Sequence, residues 1–172
     1  MKRKITVTII VIICFLLQCT LFKALSIASI SPNLLIIVTS SFGFMRGKKD
    51  GMLIGFFAGL LIDIFYGGTL GFYAAIYMYV GYFNGFFRKL FYPEDIKLPM
   101  ILISASDLVY NLLVYVFQFL LRGRFAFKYY FRHIIVPEWI YTILVTVFLY
   151  FILLKINQNL EKSEKRSNGK IV

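Results

Sequence analysis

The chain has 172 residues, of which 60% are hydrophobic and 16% are charged, and its mean hydropathy is +0.79. A soluble domain of this size cannot bury so much apolar surface, so the composition excludes one and predicts a protein that crosses the membrane several times. The formal charge of +11 comes largely from lysines and arginines that flank apolar runs. That placement is typical of the positive-inside rule and argues against nucleic-acid binding.

Six apolar runs predict an all-α integral membrane protein, a bundle of about six transmembrane helices. The predicted spans are about 5–22, 30–45, 51–66, 70–87, 99–121 and 134–155. We expect residues 1–155 to form a single domain and residues 156–172 to be a basic, disordered cytoplasmic tail. The distribution of basic residues places both termini in the cytoplasm. The first run could also be a signal peptide, but it is longer than the usual apolar region of one, so we favour an uncleaved helix.

The second run is short for a membrane span. It starts at Ser31 and Pro32, which are typical of a helix start, and it ends before the charged sequence RGKKD at 46–50. A helix of this length covers only about 21 Å of a hydrocarbon core about 30 Å thick, so it either extends back through residues 24–29 or is a half-helix. The charged sequence must reach water, so the runs on either side of it predict a tight helical hairpin.

The third run carries a stripe of glycines that ends in an acid. Its members are Gly51, Gly55, Gly59 and Asp63. Four-residue spacing keeps them on one helix face, where the missing side chains allow another backbone to approach closely. A carboxylate in hydrocarbon costs roughly 2.5–3.5 kcal/mol on insertion scales, so the acid must face inward. We therefore predict a helix-packing or interaction face, continued into an uncharged turn by Gly68 and Gly71.

The fifth run carries a polar stripe on one helix face. Its members are Ser104, Asp107, Asn111 and Gln118. Two interpretations stay open: hydrogen bonds between helices, worth about 0.6 kcal/mol each on average, or a polar path or ligand cavity that faces Asp63. The third and fifth helices both run outward, which puts Asp63 in the outer half of the membrane and Asp107 nearer the cytoplasm. We therefore expect the two acids not to share a site, and Asp63 to be a buried polar contact.

The segment between the fifth and sixth runs alternates basic and aromatic residues, a pattern typical of the membrane interface. Its cations are Arg122, Arg124, Lys128 and Arg132. At the start of the sixth run, Glu138 stands where a helix N-terminus favours an acid, and Trp139 is expected to anchor the helix at the interface.

No set of residues predicts catalysis. Cys14 and Cys19 lie five residues apart in the first run, and His133 is the sole histidine. These residues complete neither a metal-ligand set nor a pair of nucleophile and base. We therefore expect no enzyme activity, no cofactor and no metal.

Three motifs in the chain resemble those of the rod shape-determining protein MreD family. They are SPNL at 31–34, GxxxGFxxGLLxD at 51–63 and GTLGF at 68–72. The length, the basic start and the number of apolar runs are also similar, over roughly residues 5–155. Beyond Phe87 the likeness is one of hydropathy only, so it assigns no role to Asp107 or to the segment 122–132.

The resemblance implies a non-enzymatic component of the bacterial cell-elongation (rod) complex in the cytoplasmic membrane. Such a protein maintains cell shape and supports lateral peptidoglycan synthesis through contacts with an MreC-like bitopic protein, actin-like MreB and peptidoglycan synthases. The family is also similar in fold to the substrate-binding subunits of energy-coupling-factor vitamin transporters. The alternative function is therefore a membrane solute-binding subunit or small transporter, in which Asp63 and the polar stripe would line a small-molecule cavity.

Overall fold

A computed structural model describes residues 2–24, 30–66, 70–92, 95–118 and 127–168. The α-helices are α1 (Lys2–Cys19), α2 (Leu21–Ala24), α3 (Leu34–Arg46), α4 (Lys48–Phe65), α5 (Phe72–Asn84), α6 (Lys97–Gln118), α7 (Phe127–Tyr130) and α8 (Val136–Asn168). A 3-10 helix, Gly85–Leu90, continues α5, and a π-helical turn, Phe131–Ile135, joins α7 to α8. The all-helical prediction is confirmed for the described part of the chain.

Two continuous helical stretches, Lys97–Gln118 and Lys128–Glu164, are long and apolar enough to cross a membrane. Helix α3 is apolar but shorter. Helices α1 and α4 have 18 residues each, but both begin with a charged turn, which shortens their apolar part. A bundle of six spans therefore stays a prediction.

Helix α3 is the central helix of the bundle. Every residue from Leu34 to Met45 is buried, and the helix contacts α1, α4, α5, α6 and α8. It begins after the non-helical residues 31–33, so it is not continuous with the helix that ends at Ala24, and residues 25–29 lie outside the described residues. The observed helix has 13 residues, about 20 Å. Because protein surrounds it on all sides, it does not need the length of a lipid-exposed span.

The outer surface of the bundle is apolar. Large hydrophobic side chains are exposed on several helices, among them Phe148 at 76%, Phe65 at 65% and Ile64 at 60%. Polar residues such as Asp63, Asp107 and several asparagines are buried instead. A surface of this kind is unfavourable in water and is suited to contact with lipid.

The last helix is longer than the sequence predicts. Helix α8 continues past residue 155 to Asn168, so the disorder expected from residue 156 is wrong up to that point. Its extension is held by Arg46, which donates hydrogen bonds to Asn157 and forms a salt bridge of 3.3 Å with Glu164. Arg3 pairs with the same glutamate at 3.2 Å. The segment after residue 155 has few apolar residues, and for that reason the sequence predicted a disordered tail. Its polar side chains instead contact cations from α1 and α3.

Candidate functional site

The glycine face of α4 packs directly on the backbone of α5. Gly51, Gly55 and Gly59 are all buried. A Cβ atom added to Gly55 would overlap the carbonyl oxygen of Tyr77, and one added to Gly59 would overlap that of Tyr73. The face is therefore filled by the chain's own next helix and leaves no room for another protein.

At one end of this face the backbones of α3, α4 and α5 lie in close contact, because α3 and α5 also have glycines there. A Cβ on Gly43 of α3 would lie 2.6 Å from the carbonyl oxygen of Gly81 in α5. One on Gly51 would lie 2.7 Å from the Cα atom of Gly43. Our sequence prediction omitted Gly43 and Gly81. The repeat of Gly81 and Gly85 at a spacing of four is the signal that could have identified the α5 side.

Asp63 caps the N-terminus of α5. Its Oδ2 accepts hydrogen bonds from the backbone N–H groups of Gly71 (3.0 Å) and Ala74 (2.9 Å), and its Oδ1 accepts one from Tyr73 (2.9 Å). The N–H groups of a helix's first turn have no partner within the helix, and a negative charge there also interacts favourably with the helix dipole. The acid is only 2% exposed. The polar partners of the buried Asp63 carboxylate are therefore backbone N–H groups of the same chain.

The turn before α5 supports this cap. Gly71 has φ +97°, a conformation that favours glycine over residues with a Cβ atom. Gly68, predicted to belong to the same turn, lies outside the described residues. Asp63 and Gly71 together therefore determine how the chain enters α5 from α4.

Helix α3 also begins inside the bundle, and side chains accept hydrogen bonds from two of its first N–H groups. Asn33 Oδ1 accepts hydrogen bonds from the backbone N–H of Ile36 (3.2 Å) and from the Tyr77 hydroxyl (2.7 Å). Gln18 of α1 accepts one from the N–H of Leu35 at 3.2 Å. In hydrocarbon an unpaired N–H costs several kcal/mol, so these contacts allow a short helix to start away from water.

Two ends of the polar stripe on α6 bond to other helices. Trp139 Nε1 of α8 donates to Ser104 Oγ at 2.8 Å, and Gln118 Nε2 donates to the Tyr73 hydroxyl of α5 at 2.6 Å. Trp139 is half-buried, so its ring lies against α6 and is not a freely exposed interface anchor. These contacts are hydrogen bonds between helices, the simpler of the two interpretations of the stripe.

The centre of the stripe contains an acid whose carboxylate has no hydrogen bond of good geometry among the described residues. Asp107 is fully buried and faces Thr142 of α8, yet neither of its carboxylate oxygens has a hydrogen bond of good geometry. Asn111 donates to the backbone carbonyl of Asp107 at 3.1 Å and faces Glu138 of α8. Asp63 instead accepts hydrogen bonds from the start of α5, so the two acids contact different parts of the bundle.

The remaining predicted cations occupy the surface where they can be described. Lys128 and Arg132 are exposed near the start of the long C-terminal helical stretch, whereas Arg122 and Arg124 lie outside the described residues. The neighbouring His133 stacks on Tyr129. Among the residues that the structure describes, no three His, Cys, Asp or Glu side chains gather in a way that could hold a metal ion.

Two adjoining cavities lie near the charged ends of α1 and α4. An apolar groove of about 640 Å³ separates α1 from α4, and a basic cavity of about 870 Å³ is lined by the hairpin between α3 and α4 and by the 3-10 helix. Both are lined by Arg3, Arg46 and Asp50. No residue of the polar stripe lines either cavity.

An apolar exterior, buried polar side chains and helix ends capped within the bundle define a helical membrane protein. The model of the family described as rod shape-determining protein MreD matches residues 1–160. The chain therefore belongs to the MreD family, whose members are shape-determining membrane proteins and are not known as enzymes. No curated protein and no solved structure matches the chain.

Proposed function

We propose that this protein is a non-enzymatic, multi-pass component of the rod complex in the bacterial cytoplasmic membrane, with both termini in the cytoplasm. It maintains cell shape and supports lateral peptidoglycan synthesis by holding partner proteins. The family match over residues 1–160 carries this proposal. The contacts of the buried polar residues agree with it, because most of them join helices of the same chain.

The role of the glycine face in this function is indirect. Since α5 covers Gly51, Gly55 and Gly59, a partner must bind elsewhere on the bundle. The close packing of α4 on α5, together with the Asp63 cap, gives the bundle a rigid shape. We propose that the partners, an MreC-like bitopic protein, actin-like MreB and the peptidoglycan synthases, recognise surfaces that this packing holds in place.

Affinity capture tests the proposal. The full chain, tagged and expressed in its own membrane, is purified in mild detergent, and the co-purifying proteins are identified by mass spectrometry. We expect an MreC-like protein and wall synthases, and we expect Asp63→Leu to lose them because it disrupts the start of α5. The control Asp50→Asn, on the same helix but half-buried, should retain them. Capture of transporter ATPases in place of wall-synthesis proteins would contradict the proposal.

One observation favours a second function, a solute-binding subunit. Asp107 is fully buried, and among the described residues neither of its carboxylate oxygens has a hydrogen bond of good geometry. A ligand at a hundredfold excess over its Kd should stabilise the fold by about 2.7 kcal/mol. For a component of the rod complex we expect no such stabilisation in a thermal-shift screen of vitamins and cofactors. A stabilisation that Asp107→Ala abolishes would support the solute-binding function instead.

A further inference from the structure

We propose that the groove between α1 and α4 binds one anionic phospholipid, with an acyl chain along the groove and the phosphate at its basic end. This inference rests on the membrane location proposed above, but it does not depend on which proteins the chain binds. The groove is lined mainly by aliphatic and aromatic side chains along its length, and its charged residues are Arg3, Lys4, Arg46 and Asp50.

The length of the groove matches one leaflet of a bilayer. Its apolar wall on α4 runs from Leu53 to Ile64, and eleven helical steps of 1.5 Å give about 16 Å. Half of a hydrocarbon core about 30 Å thick is about 15 Å. Val7 and Val11 of α1 line the groove opposite α4, and Phe42 of α3 also lines it. The groove can therefore hold an acyl chain over the depth of one leaflet.

The end of the groove has the charge that a lipid phosphate requires. Lys4 is exposed and forms no salt bridge among the described residues, whereas Arg3 is shared between Asp50 and Glu164. The adjoining basic cavity adds Lys48, Lys49, Arg88 and Lys89. Asp50 is the one acid among the residues that line these two cavities. Basic pockets beside membrane helices are suited to anionic headgroups.

The size of the groove favours a lipid over the span of another protein. A helix about 10 Å wide and 30 Å long occupies roughly 2,400 Å³, more than the groove can enclose. Part of such a helix would therefore lie outside the groove. An acyl chain is slender and flexible enough to lie within it, and the bilayer supplies it at high concentration.

Native mass spectrometry of the purified full chain tests this inference. The chain is titrated in detergent with phosphatidylglycerol and, separately, with phosphatidylcholine of the same acyl composition. We expect one phosphatidylglycerol to be retained more tightly than phosphatidylcholine. Lys4→Gln should weaken the retention of phosphatidylglycerol about fivefold, the effect of one cation near an anionic lipid. Lys155→Gln, an exposed lysine of α8 that lines neither cavity, removes the same charge and should leave retention unchanged.

A second pair of variants tests the apolar wall. Phe57 lines the groove and is 59% exposed, so Phe57→Ala should weaken retention of both lipids without unfolding the chain. Phe148, which is exposed on α8 and lines neither cavity, is the matched control. Equal retention of the two lipids, or equal losses from Lys4→Gln and Lys155→Gln, would overturn the inference. So would displacement of the lipid by inorganic phosphate at the same concentration, which would assign the basic end to a soluble anion. Because no partner protein is present, failure here leaves the proposed function untouched.

Discussion

Replacement of Asp63 offers the most direct measure of what the glycine helix does. Asp63 accepts three backbone N–H groups at the start of α5, one through Oδ1 and two through Oδ2. Asparagine has one carbonyl oxygen in place of two carboxylate oxygens. If that oxygen takes the position of Oδ2, the amide nitrogen faces the N–H of Tyr73, a donor opposite a donor. Leucine leaves all three N–H groups without an acceptor.

The expected losses follow from these bonds. A hydrogen bond to a charged group contributes about 1.5–3 kcal/mol, and the charge at the helix N-terminus adds about 0.3–1 kcal/mol. Asp63→Asn should therefore lower the free energy of unfolding by about 2–4 kcal/mol. Asp63→Leu should lower it by at least about 3 kcal/mol, since each buried unpaired N–H costs about 1–3 kcal/mol. An ordinary polar contact between membrane helices would lose only about 0.6 kcal/mol.

Unfolding in mixed micelles with increasing SDS provides the assay. The sequence has a single tryptophan, Trp139, which is hydrogen-bonded to Ser104, so its fluorescence reports whether α8 remains against α6. Hydrogen exchange at the amides of Gly71, Tyr73 and Ala74 reports the cap itself. Both Asp63 variants should exchange faster at these positions before the bundle unfolds.

Asp50→Asn is the control for removal of one acid from α4. Asp50 makes a partly exposed salt bridge of 3.3 Å with Arg3, so its loss should change stability by no more than about 1 kcal/mol. If Asp63→Asn costs no more than Asp50→Asn and the three amides keep their protection, Asp63 does not cap α5 and the reasoning is refuted. Equal losses for the Asn and Leu variants would attribute the effect to the charge alone.

Three further substitutions test the packing, the last helix and the buried acid. Gly55→Leu should lower the free energy of unfolding by about 1–3 kcal/mol or more in the same assay, because the new side chain overlaps the backbone of α5. The control Ala75→Leu, on the exposed face of α5, should lower it little. Equal effects of the two substitutions would contradict the observed packing. Asn157→Leu removes a hydrogen-bond partner of the buried Arg46 guanidinium, so the end of α8 should detach from the bundle. Trypsin should then cleave this end faster. Unchanged cleavage would show that the salt bridges alone hold the end of α8 in place. Asp107→Asn loses no hydrogen bond of good geometry and replaces a buried acid by a neutral amide, so the free energy of unfolding should not fall. A measurable loss would reveal a partner for the carboxylate.

The glycine stripe shows which part of the helix packing a local sequence pattern can predict and which part it cannot. Four-residue spacing predicts that Gly51, Gly55 and Gly59 share a face and that a backbone approaches it. The spacing does not reveal which backbone. That depends on α5, whose Gly81 completes the close approach to Gly51. A stripe of small residues on one helix is equally compatible with a partner chain, which is why a surface for another protein remained possible from the sequence.

The Asp63 cap and the end of α8 were hidden for two different reasons. The partners of Asp63 are backbone N–H groups, which every residue except proline has, so no side-chain pattern marks them. The tail of α8 is polar by composition, and composition predicts disorder unless its charges find partners. Those partners are Arg3 and Arg46, more than a hundred residues away in sequence. Long-range charge pairs of this kind cannot be identified from one sequence.

The buried polar residues divide into those whose hydrogen bonds begin helices and one, Asp107, whose carboxylate has no such bond of good geometry among the described residues. Asn33 and Asp63 accept backbone N–H groups at the starts of α3 and α5, which have no partner within those helices, so their polarity has a sufficient structural reason. Among the described residues, neither carboxylate oxygen of Asp107 has a hydrogen bond of good geometry, whereas Glu138 faces Asn111. Acids inside a membrane bundle commonly mark substrate or ion pathways, so this residue distinguishes the two functions. Because Asp107→Asn should fold normally, cells that carry this variant should keep their rod shape if the protein is a component of the rod complex that acts by packing alone. Loss of rod shape would show that the carboxylate itself is needed.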